Sequence, residues 1–488
     1  MSSTQTNGPA RPLRPVAVIV GVLILADVVS SFESAMMLLA IPRLMAAFQA
    51  SAADVSWVIT AFLLVASASA AICGRLGDIF GRRRLLVILL LISAAGSVVS
   101  IASGSLAGVI VGRAIQGVAG GILPLCFGLA REHLPRKKVP TAISLVAATA
   151  MLAAAAANLI SGVLIDLLDW HWVFVFAAVV AAIAAATCAL LPRSAIVATV
   201  QRIDGVGAVL FAVAVALVLL GITKSATWTW AAPRTPATIV AGVALLAVWA
   251  WWELRHPSPM INIRIFLGRR LALTIVATAA LAIGTQGAMG IVLPIIYQTP
   301  SAAPVGLGLT ATQTGTIAFG VTIVGFLIAP LSGRIAARAG SRVSVVIGTV
   351  LGLAATAALA LLYHTVPGMI ASAVVFMLST SFILTGLPNL IVEVVPPENT
   401  SETTGIYTVA RSAFTGVGTV LATLLLSLSV VPGTRFSTQG AFHSVFVLVG
   451  ASCAAGLLVA LLVRPIRRAV TASPAEAALA PEGQSPDR

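Results

Sequence analysis

The chain has 488 residues, of which 59% are hydrophobic and 9% charged, at a mean hydropathy of +1.07. An average soluble domain carries about 25% charged residues, so this composition excludes a water-covered globule and describes an integral membrane protein, with spans of about 20 residues each and no large extramembrane domain. The net charge of +14, from 29 Lys+Arg against 15 Asp+Glu, fits short loops that set membrane topology and does not point to nucleic acid.

Apolar runs punctuated by charge, Pro and Gly predict six spans at 16–41, 55–73, 85–103, 106–130, 141–168 and 172–192. A pair follows at 205–223 and 236–254, then six more at 271–297, 313–333, 343–363, 368–392, 403–431 and 442–463. Arg11 and Arg14 precede the first run as in a signal peptide, but that run reaches Ile41 and carries Asp27 and Glu33, so it reads as a first transmembrane helix. The resulting organisation is a disordered N-terminal tail (1–15), a six-helix bundle (16–192), a linker with two extra helices (193–270), a second six-helix bundle (271–463) and a cytoplasmic tail (464–488). With fourteen spans and both ends inside, 23 of the 29 Lys and Arg fall on the cytoplasmic side, as the positive-inside rule requires.

Two stretches echo each other: GRLGDIFGRRR at 74–84 follows the second helix, and GRIAARAGSR at 333–342 follows the corresponding helix of the second bundle. Parallel repeats of this kind mark transporters whose substrate site lies between the halves near the bilayer midplane. In the first stretch, glycines permit a tight turn and close helix approach, and Asp78 can accept hydrogen bonds from a helix N-terminus or a neighbouring Arg. The alternative is a purely topogenic basic cluster. In the fourth helix Arg113 is followed by Gln116, Gly117, Gly120 and Gly121, and an intramembrane arginine needs a partner or a watered cavity. Asp27 and Glu33 are the only acids in the helix interiors of the first bundle, and their six-residue spacing puts them about 120° apart around a helix. One is expected to titrate in the cavity while the other is structural. Burial and a nearby guanidinium act on such a carboxyl in opposite senses, a balance suited to carrying a proton.

These motifs resemble the major facilitator superfamily and, within it, the fourteen-helix drug:proton antiporters, over nearly the whole chain. Gly74, Asp78, Gly81, Arg82 and Arg83 match the loop between helices 2 and 3, with Ile79 in place of a basic residue. Arg113, Gln116 and Gly117 match R-x-x-Q-G, and Glu33 precedes Ala40, Ile41 and Pro42 where the family has an aspartate, while Ala35 and Leu38 replace its threonine and asparagine. Ala157 and Asn158 stand at the antiporter glycine-proline pair, with Gly162 retained, and WHWVF at 170–174 resembles the family's aromatic turn with His171 for arginine. In the second bundle Pro294, Tyr297, Gln298 and Gly315, then Pro388, Asn389, Glu393, Gly405, Tyr407 and Arg411, resemble the family pattern. The resemblance implies a latch in which Asp78 meets the N-terminal end of the helix starting near Thr403, and control of protonation by Arg113. Arg411 is left to face an anionic substrate group, Glu393 or water.

The resemblance therefore implies an all-α integral membrane protein of the major facilitator fold, multi-pass in the cell membrane. Its expected function is export of small amphipathic or cationic compounds in exchange for protons. The proton-coupling residues are Glu33, Asp27 and Arg113, and the cavity candidates are Phe32, Gln116, Asn158, Gln286, Tyr297, Tyr407 and Arg411. Expected partners are the small-molecule substrate, protons and the lipid bilayer, for a monomer that is not an enzyme and is powered by the proton gradient without a cofactor. Lys137, Lys138 and Lys224 lie in no phosphate-binding loop, the five histidines lack metal-ligand spacing, and Cys73, Cys126, Cys188 and Cys453 read as packing residues. Two other readings stay open: a substrate-specific symporter or facilitator of the same fold, and a non-transporting membrane receptor or scaffold.

Overall fold

A computed structural model of the chain describes residues 15–463 apart from 38, 39, 195–203, 229–231, 258, 260, 262, 267, 432, 433 and 435. Nearly all of both tails, Leu38 and most of the connection at 192–204 therefore lie outside the described residues.

In a bilayer every backbone N–H and C=O must be satisfied within the chain, and the apolar runs do so as helices. Among the described residues, fourteen are long and apolar enough to cross a membrane. They are α1 (Val16–Ala35), α2 (Trp57–Phe80), α3 (Arg82–Ala102), α4 (Leu106–His133), α5 (Val139–Leu167), α6 (His171–Ala189), α7 (Gly205–Trp228) and α8 (Arg234–Arg255). The second set is α9 (Arg269–Gln298), α10 (Ala311–Ala339), α11 (Ser341–Leu362), α12 (Val366–Val394), α13 (Thr400–Leu428) and α14 (Gln439–Leu462). The fourteen coincide with the predicted spans, with one correction at the first and others at the two repeats. Helix α1 stops at Ala35 and a short helix, Ile41–Phe48, carries Pro42 at its start. The stretch 74–84 is almost wholly helical rather than a loop: α2 runs to Phe80, α3 starts at Arg82, and Gly81 alone turns the chain at φ 95°. Gly340 makes the same turn at φ 95° between α10 and α11, a left-handed conformation that glycine adopts without a Cβ clash.

The repeat also holds at side-chain level. The Arg83 guanidinium donates to the carbonyl of Ala189 at the end of α6, and Arg342 donates to Ala460 and Leu461 near the end of α14. At the outer face, Ser105, Thr310, Thr365 and Thr438 cap α4, α10, α12 and α14, each accepting a backbone N–H of the first turn, as short hydroxylated side chains do at helix starts.

Helices α1–α6 pack as one bundle and α9–α14 as another, meeting through α2 against α13 and α5 against α10. Glycines set both seams. A Cβ on Gly74 would lie 2.3 Å from the Ser401 carbonyl oxygen, one on Gly405 2.2 Å from that of Ala70, and one on Gly333 2.5 Å from Ser144 Oγ. The close contact belongs to the cytoplasmic halves of these helices. On α2, Ser69 to Ala71 are buried while Leu63 to Ala68 are not, and on α13 the buried run Thr400–Gly405 gives way to half-exposed residues from Arg411 to Val417. The outer half of α10 has open space around Gly315 and Gly320. The bundles thus meet on the cytoplasmic side and separate toward the outside. The central pair is no detached spacer, since α7 packs on α2 and α13, and Phe211, Val215, Leu219 and Trp249 share an apolar cluster with Ala70, Ala71 and Val409.

Candidate functional site

At the cytoplasmic seam, charged side chains are buried as a connected set. Asp78 Oδ2 accepts the backbone N–H of Glu402 at 2.9 Å, in the first turn of α13, where unsatisfied N–H groups and the helix dipole favour an anion. Its other oxygen accepts from Arg82 Nε at 2.8 Å. Arg82, wholly buried, also donates to the carbonyls of Gly128 and Pro397 and lies 3.5 Å from Glu132. Arg75 Nη1 reaches Glu402 Oε2 at 2.9 Å, and Arg131 Nη1 donates to the Val395 carbonyl and Thr400 Oγ1 at 2.6 and 2.7 Å. Asn389 adds a bond to Pro140 O at 3.4 Å. Gly74 lets α2 touch α13 and Gly81 makes the turn, but among the described residues Arg83 bonds to Ala189 and, through its backbone N–H, Ser194, and to nothing in the second bundle. Arg75, Arg131, Glu132 and Glu402 were missed in the sequence, because their signal is pairing across more than 250 residues for three of the four.

A second polar set lies inside the first bundle. Glu33, fully buried on α1, accepts at Oε1 from Ser93 Oγ and from Gln116 Nε2, the latter at 3.2 Å, while its Oε2 has no hydrogen-bond partner. Arg113 does not grip that carboxylate. Its guanidinium donates to the Glu33 backbone carbonyl at 2.9 Å, to Val58 O at 3.2 Å and to Gln116 Oε1 at 3.1 Å, and lies 4.2 Å over the Phe62 ring. Gln116 Nε2 also donates to Ser97 Oγ at 2.7 Å. Ser93 and Ser97 are the residues the sequence reading overlooked here, and their signal is a serine every fourth position, continued near Ser100, on a helix otherwise rich in Leu and Ile.

Asp27 faces elsewhere. It is 1% exposed, its Oδ2 has no partner, and it lies near Cys126 of α4 and within electrostatic reach of Arg411 on α13. Arg411 is half-buried and donates to Gln286 Oε1 at 2.7 Å, beside the π-helical stretch Ala282–Ala288 of α9. Glu393 is not its partner, being bonded to Ser341 at 2.6 Å. So Asp27 stands within electrostatic reach of Arg411, itself bonded to Gln286, in the opposite bundle, while Glu33, Arg113 and Gln116 form a closed network in the first. Three cavity candidates sit instead in packed cores. Phe32 is 4% exposed and packs against Phe176 in a tilted pair with ring centroids 5.0 Å apart, and Tyr297 and Tyr407 are buried with unpartnered hydroxyls among side chains of the second bundle. These aromatics pack because their large apolar surface outweighs one unmet hydroxyl. Asn158 is half-buried on α5 with Oδ1 unpartnered.

This arrangement can bind and release protons at two buried carboxyls of one helix while a separate ionic seam holds one face shut. Comparison with known proteins places the chain in a family. The family model described as Major Facilitator Superfamily matches residues 23–300 and 274–485. The tetracenomycin C resistance and export protein of Streptomyces glaucescens is 29% identical over 346 residues, covering 69% of this chain and 60% of that protein, so the match spans under two thirds of that relative's length. The lincomycin resistance protein LmrB of Listeria monocytogenes is 23% identical over 435 residues, 88% of this chain and 89% of its own. Among solved structures, the human organic anion transporter MFSD10 superposes with a TM-score of 0.64 at 14% identity, over 92% of this chain and all of that one, a likeness of fold.

Proposed function

The chain belongs to the Major Facilitator Superfamily, and from that premise we propose that it is a proton-driven exporter of small amphipathic compounds, cations among them. The observation that carries this reading is the pair of buried α1 carboxyls, Asp27 and Glu33, each with one oxygen lacking any partner. A buried carboxylate without full compensation is costly, and taking up a proton relieves that cost, so both groups suit cyclic protonation. The resistance and export functions in the printed names of two relatives favour the outward direction.

In the mechanism we infer, the structure corresponds to the outward-facing state. Protons from outside reach Asp27 through the space between the bundles, and protonation weakens its attraction to Arg411. Glu33 is set by Ser93 and Gln116, and Arg113, by holding the Glu33 carbonyl and Gln116, fixes the α1–α4 distance at that network. When the bundles rock, the seam at Asp78, Arg75–Glu402 and Arg131 opens, cargo enters from the cytoplasm, and loss of the proton restores the anion that a cationic cargo can face. For a neutral cargo exchanged for one proton, 100 mV supplies about 2.3 kcal/mol without a nucleotide, whereas a monovalent cation exchanged one for one moves no net charge and is driven by the pH gradient alone.

The test is efflux of a fluorescent lipophilic cation from an efflux-deficient host expressing the protein, with and without a protonophore. Efflux that the protonophore stops supports the proposal. Efflux unaffected by it removes proton coupling, and none at all with a panel of amphipathic dyes shifts the reading to a narrow-specificity carrier of the same fold.

A further inference from the structure

The central pair carries a buried acidic cluster that the transport cycle above does not use. Asp204 at the start of α7 and Glu253 near the end of α8 are 4% and 3% exposed. Asp204 Oδ2 and Glu253 Oε1 would lie 2.5 and 2.7 Å from a Cβ on Gly207, so the two carboxyls converge on one small space that only glycine leaves open. Asp204 accepts from Gly207 N and Trp252 Nε1, both at 2.8 Å, and has His256 Nδ1 at 3.8 Å. Glu253 Oε1 accepts from Trp249 Nε1 at 3.1 Å and Ile261 N at 3.4 Å, while Oε2 is buried with no hydrogen-bond partner. Glu253 also lines a cavity of about 260 Å³ at the cytoplasmic end of α8, with Arg255, His256 and Arg264 among its walls.

The cluster adjoins the seam. Trp249 and Ile261, both hydrogen-bonded to Glu253, belong to the apolar cluster that includes Ala70 and Ala71 of α2 and Val409 of α13. From α13, Glu402, ion-paired with Arg75 of α2, lies within electrostatic reach of Glu253. Among the described residues, the charged and titratable groups facing Glu253 are Asp204 beside α7, His256, Arg255 and Arg264 around the cavity, and Glu402 with Arg75 from the seam.

We propose that Glu253, with Asp204 and His256, forms a cytoplasm-facing proton-binding site whose occupancy holds the α2–α13 seam closed. The cavity gives protons a route from the cytoplasm. With Glu253 protonated, its repulsion with Asp204 and Glu402 is absent and the central pair packs tightly on both helices. Without the proton, three carboxylates crowd the edge of the seam and like charges in a poorly solvated setting push apart. For a carrier that admits protons, such a site acts as a brake: an acidified cytoplasm keeps the inner face shut.

The test needs no cargo. Spin labels on Lys137→Cys and Arg338→Cys, exposed positions at the cytoplasmic face of opposite bundles, report the separation of the bundles in full-length protein in nanodiscs. Native cysteines are buried and stay unlabelled. In the Asp27→Asn, Glu33→Gln background, which removes the transport carboxyls' own response to pH, the expected result is a distance that lengthens between acid and alkaline pH, loss of that shift on adding Glu253→Gln with the short distance kept, and its return with Glu253→Asp instead. A distance that does not respond to pH in that background, or one that still shifts after Glu253→Gln is added, overturns the proposal. A folded Glu253→Asp protein without the shift does so too. Because dye efflux is read separately, failure of the proton-driven export reading leaves this result interpretable.

Discussion

Replacing Glu33 by Gln keeps an oxygen to accept from Ser93 and Gln116 and removes the titratable group. Proton-coupled efflux is expected to fall to the level of cells lacking the protein, with expression and monodispersity unchanged. Asp27→Asn tests the other carboxyl, which stands near Arg411 rather than within the Glu33 network. If efflux in Glu33→Gln equals the parent while Asp27→Asn is inactive, coupling rests on Asp27 alone. Arg113→Ala differs in kind, because it strips donors from Glu33 O, Val58 O and Gln116 Oε1 together. Leaving a buried acceptor without its donor costs about 1–3 kcal/mol, so a lowered Tm in detergent is expected. Arg113→Lys recovers only part of it, since an ammonium cannot reproduce the guanidinium fork. At this scale the sequence singled out Asp27, Glu33 and Arg113 because charge in an apolar run is conspicuous. It did not reveal that Arg113 binds a backbone carbonyl rather than a carboxylate, because backbone partners leave no trace in residue identity. Tyr297 and Tyr407 were misplaced for a related reason: a tyrosine's pattern in a helix does not say whether its hydroxyl meets water or core.

Between elements, the seams depend on glycine and on one acid at a helix start. Gly74→Ala places a Cβ 2.3 Å from the Ser401 carbonyl oxygen, which is backbone and cannot turn aside, so α2 and α13 cannot close to their present separation. The expected outcome is loss of transport in a protein that still inserts and folds, checked by efflux and by gel filtration of purified material. Asp78→Asn is milder: it weakens a charge-assisted bond to the Glu402 N–H and the pairing with Arg82, where hydrogen bonds to charged groups contribute about 1.5–3 kcal/mol. The repeat at 333–342 was legible as an echo, and Gly81 and Gly340 share φ 95°. Its asymmetry was legible too, since Ala337 and Ser341 occupy the places of Asp78 and Arg82. What could not be read was that both stretches are helical to within one residue of the turn, because a Gly- and Arg-rich run between apolar segments has the composition of a loop.

For the whole molecule, alternation requires the cytoplasmic contact of the two bundles to break in every cycle, and the α5–α10 seam offers a direct check. A Cβ on Gly333 would stand 3.0 Å from the Cβ of Ser144 and 2.7 Å from the backbone Cα of Thr141. Helices α5 and α10 must part by under about 1 Å to admit it, which also brings the two Cβ atoms to the separation of about 3.5–4.5 Å that a disulfide spans, so the reduced double-cysteine variant is the reference for efflux. The double variant Ser144→Cys, Gly333→Cys is therefore expected to cross-link under mild oxidation, with the four native cysteines buried and out of the reaction. Oxidation should abolish dye efflux and reduction should restore it, because the bond joins the first bundle to the second at the face where Asp78, Arg75 and Arg131 already hold them together. Full efflux from a completely cross-linked protein would mean that cargo moves without separation of α5 and α10. The outer half of α10, open around Gly315 and Gly320, would then have to supply the moving gate by itself. Inactivation that reduction reverses instead assigns the motion to the bundles as whole bodies, pivoting away from a seam whose glycines allow contact this close.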